Sequence, residues 1–256
     1  MVRSDPAPTP WWLVPNILAL DAPAVAAVWQ RFLAARFGVP VPWSATTALA
    51  AAVWCVYLTD RYLDARRGAI DADRHRAAAR RPRTFVLGAL VAAGFAAVAA
   101  SRLPVAYVQY GLAVGLGVTA YLALVHALAG HLRALPGGKE LLVAAGFAAG
   151  VAVPLAANGH CTEWLPCVAA FGGLCWLNCR LIDRWESGGP VCWPDWLLCG
   201  SLLAAPAALP STVGLAVAGA ALGLLAVHVA CRHRPRVARA LADVVLLTPL
   251  VLCGAV

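Results

Sequence analysis

Long apolar runs alternate with short polar breaks along almost the whole chain. A helix needs roughly 20 predominantly apolar residues to cross the hydrocarbon core of a bilayer. Nine stretches approach that length: 15–36, 43–63, 84–101, 104–127, 139–157, 164–182, 191–209, 211–230 and 237–255. The pattern predicts an all-α chain of about nine transmembrane helices. The first stretch is the most interrupted, by Asp21, Pro23, Gln30 and Arg31. Pro154 and Pro249 fall inside other stretches, where neighbouring helices can satisfy the freed backbone groups. Turn-forming residues separate the runs: Val39-Pro40-Val41-Pro42, Pro136-Gly137-Gly138, Ser187-Gly188-Gly189-Pro190 and Leu209-Pro210-Ser211. No repeat period is visible, which argues against a solenoid.

Composition strengthens this picture. Hydrophobic residues make up 62% and charged residues 12% of the chain, with a mean hydropathy of +0.76. A soluble domain carries about twice that share of charge. The net charge of +8 then reads as a sign of sidedness rather than of nucleic-acid binding. With nine alternating spans, only Arg31, Arg36 and Arg102 of the 20 Lys and Arg residues fall on one side. The remainder lie on the N-terminal tail and in the loops after the second, fourth, sixth and eighth stretches. By the positive-inside rule the tail and those loops are cytoplasmic and the C-terminus is outside. The expected location is a bacterial-type inner membrane. Residues 1–10 are polar and Pro-rich, so no cleavable signal is expected. The nine cysteines lie mostly within apolar runs, where Cys behaves as a small hydrophobe. Cys161 and Cys167 flank a short loop; with His160 and Glu163 they match no zinc spacing.

The candidate chemistry sits where apolar helix gives way to charge. In Val53 to Arg67, Asp60 and Asp64 are four residues apart, one turn along a helix face. Two like charges there repel, and a divalent cation reverses the sign of that interaction. In Asn178 to Glu186, at the end of the sixth stretch, Asp183 and Glu186 are three apart. Both pairs are expected at the cytoplasmic boundary. Carboxylates from two helices suit Mg2+ that also holds a phosphate ligand. Asp60, Asp64, Asp183 and Glu186 are the candidate metal ligands, and the three aspartates the candidate catalytic groups. Arg66, Arg67, Arg81 and Lys139 would bind a diphosphate, with Asn178 and Arg180 beside the second acidic pair. Asp71 and Asp73 read as solvated partners of nearby arginines. Asp21, Asp195 and Asp243 lie in membrane stretches, where an acid is a functional hypothesis by default. Asp243 has Arg239 four residues before it.

These motifs, in this order and sidedness, resemble the UbiA superfamily of intramembrane prenyltransferases. That family has nine transmembrane helices around a central cavity and Asp-rich motifs at the cytoplasmic ends of helices 2 and 6. Asp60-x-x-x-Asp64 resembles the second half of its first motif, and Arg80-Arg81-Pro82-Arg83 its Arg-Pro element. Leu135-Pro136-Gly137-Gly138-Lys139-Glu140 resembles the basic start of helix 5. Asn178 to Glu186 stands in place of the second motif. The chain differs at Val56 and Tyr57, where the family shows Asn and Asp, and in the three-residue spacing of Asp183 and Glu186. The resemblance spans most of the chain, from the second stretch onward.

It implies Mg2+-dependent transfer of an isoprenyl group from an isoprenyl diphosphate to a lipophilic acceptor. Metal and basic residues would stabilise the departing diphosphate. A pocket screened from water would hold the allylic cation for the acceptor. Trp54, Tyr57, Tyr62, Trp176 and Trp185 are the nearby aromatics whose faces can stabilise such a cation. Two other readings share the fold: a membrane terpene cyclase, and a non-catalytic membrane protein or transporter. A transporter usually shows paired broken helices in an internal repeat, and none is visible. The Asp-Gly pair of CDP-alcohol phosphatidyltransferases is also missing from the acidic stretch.

Overall fold

The structure, a computed structural model, describes residues 10–67, 73–127, 138–159 and 162–253. All regular elements among them are helical. After a 3-10 turn at Trp11–Leu13 come α1 (Val14–Ile17), α2 (Asp21–Arg36), α3 (Trp43–Arg66) and α4 (Asp73–Arg80). Then follow α5 (Pro82–Ala100), α6 (Val105–Ala127), α7 (Gly138–Ala157), α8 (Leu165–Ser187) and α9 (Trp193–Leu203). The chain ends in α10 (Ser211–Cys231), α11 (Pro235–Val245) and α12 (Thr248–Cys253). Proline sits in the first turn of α5, α8, α9 and α11, where its missing N–H costs nothing. Gly188, with φ +70°, ends α8 in the left-handed conformation that glycine adopts freely.

Five helices are long and apolar enough to cross a membrane, and six if a bent pair counts as one span. The five are α5, α6, α7, α8 with its preceding turn, and α10. The bent pair is the first predicted stretch. The N-terminal turn and α1 meet α2 at 69°, and Ala19 at the break has φ 56°. Among the described residues each of the nine predicted stretches is helical, but three are broken, and α3, the second, is not among the helices apolar enough to span. The seventh holds only the 11 residues of α9 before a 3-10 turn at Ala205–Ala207 around Pro206. The ninth divides into α11 and α12, with Pro249 in the first turn of the new helix rather than inside a continuous one. Pro154, by contrast, is accommodated inside α7. The basic loop at 65–83 also contains a helix the hydropathy pattern did not mark: α4, Asp73–Arg80.

The main core joins α2, α7, α8, α10 and α11. Trp29 of α2 is fully buried, stacks on Phe171 at 4.7 Å and donates its indole N–H to the Leu246 carbonyl at 2.8 Å. Small residues let the helices approach closely. A Cβ on Gly223 would meet Val245 at 2.5 Å, and one on Gly214 would meet the Pro206 backbone at 2.6 Å. A second, smaller cluster of Leu58, Ala78 and Phe85 ties α3, α4 and α5 together. Helix α6 leans mainly on α7, and its 18-residue apolar stretch contains no buried residue.

Candidate functional site

Between these two clusters lies a cavity of about 750 Å³, within the range of sites that enclose a whole small ligand. Helix α3 lines it from Ala45 to Asp64, roughly 28 Å of helix at 1.5 Å per residue. The opposite walls come from α5, α6 and α7 and are mostly apolar, with Ala96, Gly115, Val118 and Phe147 among them, while Lys139 and Glu140 at the start of α7 are charged. The charged end is built where α3 and α8 run past their apolar stretches. Because α3 continues to Arg66 and α8 to Ser187, the acids that follow the apolar runs stay on helices. Asp60 and Asp64 of α3 and Asp183 and Glu186 of α8 all line this one cavity.

The cations there differ from those expected. Lys139 lines the cavity, with its Nζ 4.0 Å from Asp64 Oδ2. Arg66, Arg67 and Arg81 are exposed and do not line it. Arg66 lies over the Tyr62 ring instead, 5.9 Å from its centroid. Arg74 of α4 and Arg239 of α11 do line it, and both hold Glu186. Arg74 makes two hydrogen bonds to that carboxylate, one of them 2.9 Å, and Arg239 makes one of 3.0 Å. Glu186 is thus an anchor for two arginines rather than an available metal ligand. Arg180 is also placed differently. It lies outside the cavity in a buried ion pair with Asp195, which Arg184 approaches at 3.9 Å. Asp195 also accepts the Cys192 N–H at 2.9 Å, so its role is to pin the start of α9.

A second polar group sits on the cavity wall beside the acids. Asn16 donates its amide to Asp21 at 2.6 Å and to Asp243 at 3.0 Å. Asn178 donates to Asp243 at 3.4 Å, and its Oδ1 is buried without a partner. Arg61, only 3% exposed, donates to the carbonyls of Asn16, at 2.6 Å, and Ile17. There its charge meets the negative end of the short helix α1. The charge pattern alone places Arg61 among the cytoplasmic loop charges; the carbonyls at the bend after α1 hold it inside. Among the aromatics near the motifs, only Tyr57 lines the cavity. Trp54 ties to the Leu18 carbonyl at 2.8 Å, and Trp185 donates to His228 at 3.0 Å. Tyr107 and Tyr121, which do line the cavity, come from α6 and lie far from either motif in sequence. Leu135 to Gly137, His160, Cys161 and Asp71 fall outside the described residues. Cys167 is a buried free thiol.

Asp60, Asp64 and Asp183 offer only carboxylate oxygens, the donor chemistry of a hard cation. Among the described residues, no three or more His, Cys, Asp or Glu side chains converge to enclose a metal ion by themselves. Magnesium does not require such a cage, because one or two carboxylates plus substrate phosphates and waters satisfy it. The donor set therefore fits that ion.

No known family model, curated protein or solved structure matches the chain. The five long apolar helices are compatible with an integral membrane protein of several spans.

Proposed function

We propose that this protein is a UbiA-like prenyltransferase of nine spans, N-terminus cytoplasmic and C-terminus outside. It would transfer an isoprenyl group from its diphosphate to a lipophilic acceptor within the membrane. The observation that carries this reading is the shared cavity of the α3 and α8 acids, which has a charged end and a long, mostly apolar wall along α5, α6 and α7. Such a space suits an amphiphile with a charged head and a hydrocarbon tail. Asp60, Asp64 and Asp183 would hold magnesium. The ion supplies charge neutralisation for the departing diphosphate. Lys139 adds a point charge beside Asp64 for the same head group. Tyr57 and Tyr121 line the cavity, and their rings would stabilise a developing allylic cation. The long apolar wall takes the tail and keeps water from the cation.

The test is magnesium-dependent release of diphosphate from farnesyl diphosphate by the purified protein in detergent. The parent should release it, and Asp60→Asn, Asp64→Asn and Asp183→Asn should each reduce release at least 100-fold while keeping the thermal transition. A parent protein without release, or aspartate variants with parental rates, would sink the reading.

A further inference from the structure

At the charged end of the cavity, two guanidiniums from different helices close on one carboxylate. Arg74 of α4 engages both oxygens of Glu186, and Arg239 of α11 donates to Oε1 at 3.0 Å. All three residues line the cavity. The forked contact from Arg74 is a geometry that fits a carboxylate and a phosphate alike. The two arginine side chains are only 17% and 14% exposed, so water screens them in part and an anion on them binds more strongly than on an open surface.

A second, independent observation concerns Arg239 alone. Its Nε is buried and has no hydrogen-bond partner among the described residues. A buried donor left open is costly, and more so on a charged group. If the triad were only a staple joining α4, α8 and α11, nothing would account for that open donor. Glu186 has two oxygens, and Arg74 already engages both. A phosphate group brings more oxygens to the same place, enough to meet Arg74, Arg239 Nη1 and Arg239 Nε together.

We propose that Arg74 and Arg239 form a binding site for a phosphate or diphosphate group, and that Glu186 fills it as a tethered placeholder until the ligand displaces it. That the ligand is the diphosphate of an isoprenyl donor rests on the prenyl-transfer reading; the anion site itself does not. On binding, the arginine fork passes from carboxylate to phosphate oxygens and Arg239 Nε gains its partner. No covalent bond changes. The placeholder keeps two shielded guanidiniums paired while the site waits, since removing one partner of such a group is strongly destabilising. It also sets the affinity: a site filled from within for part of the time binds an outside ligand more weakly by the fraction left open.

The test is titration of pyrophosphate into the full chain in detergent at saturating magnesium. Glu186→Gln should bind at least threefold more tightly than the parent, because the internal competitor is gone. Arg239→Ala and Arg239→Lys should each bind at least fivefold more weakly; lysine keeps the charge and lacks the Nε donor. Weaker binding in Glu186→Gln would make Glu186 a metal ligand and overturn the proposal. So would a parent that binds no pyrophosphate, or Arg239 variants that bind like the parent. One measurement needs no variant. Carbodiimide labelling of Glu186, read by mass spectrometry on the parent, should rise at least threefold when pyrophosphate is added and stay constant when phosphatidylglycerol is added to the micelles. Labelling unchanged by pyrophosphate overturns the placeholder even if the variants fail to fold. Labelling raised by phosphatidylglycerol alone gives the site to a lipid head group and overturns the diphosphate. A chain that meets these expectations yet releases no diphosphate from farnesyl diphosphate keeps the anion site and loses prenyl transfer.

Discussion

Lys139 Nζ stands 4.0 Å from Asp64 Oδ2, so the start of α7 and the end of α3 bring opposite charges to one end of the cavity. The pair is half exposed on the lysine side, and a contact of this kind adds little to stability. Its value would lie in binding. Lys139→Ala should weaken binding of pyrophosphate at saturating magnesium by about 1 kcal/mol, roughly fivefold in Kd. Arg66→Ala, Arg67→Ala and Arg81→Ala should bind like the parent. Titration calorimetry checks this; an Arg81 variant as weak as the Lys139 variant would refute the assignment of the head-group cation.

Arg180 and Asp195 carry a different expectation. Their ion pair is buried, and breaking it leaves an uncompensated charge. Asp195→Ala should destabilise the protein by about 3 kcal/mol, seen as a lower Tm in detergent. The folded fraction should bind pyrophosphate as the parent does, because neither residue lines the cavity. Unchanged stability with impaired binding would restore Arg180 to the site.

The glycines separate close packing from mere composition. Gly214→Ala drives a Cβ against the Pro206 backbone, which cannot yield as a side chain would. It should cost about 1–3 kcal/mol. Gly94→Ala and Gly111→Ala meet nothing within 4 Å and should be neutral or slightly stabilising, since alanine favours helix. Thermal melts of the three variants decide it. Equal Tm values for all three would mean that α10 does not sit against Pro206.

Sidedness is checked by labelling. On a background without native cysteines, Ala79→Cys and Glu163→Cys occupy exposed positions expected on opposite sides of the membrane. An impermeant maleimide added to sealed cells should label residue 163 and spare residue 79. Labelling of both from outside would break the nine-span topology.

The long helices were legible because a helix that crosses a bilayer must be apolar along its length, whereas the polar α4 carries no such signal. The breaks were less so. Pro206 and Pro249 were visible as residues, but a proline inside a membrane helix is tolerated at some sites and ends the helix at others. Which happens depends on neighbours, as α7 with Pro154 shows. The acids at the charged end could be read from spacing and sidedness, which place Asp60, Asp64 and Asp183 at one boundary. Their partners could not. Arg81 lies near the first acidic pair in sequence, whereas Arg74 and Arg239 reach Glu186 through the folds of α4 and α11. The Asn16–Asp21–Asp243 group joins residues up to 227 positions apart, and no local pattern marks such a meeting.

Helix α6 stands as a single layer between the cavity and whatever surrounds the protein on that side. On the prenyl-transfer reading, a tailed substrate dissolved in the bilayer would be one helix away from the acids and need never enter the aqueous phase to reach them. The quantity governing its loading would then be its mole fraction among the lipids. Affinities measured against aqueous concentration in detergent would shift with micelle number, while those measured in vesicles would follow the ratio of substrate to lipid.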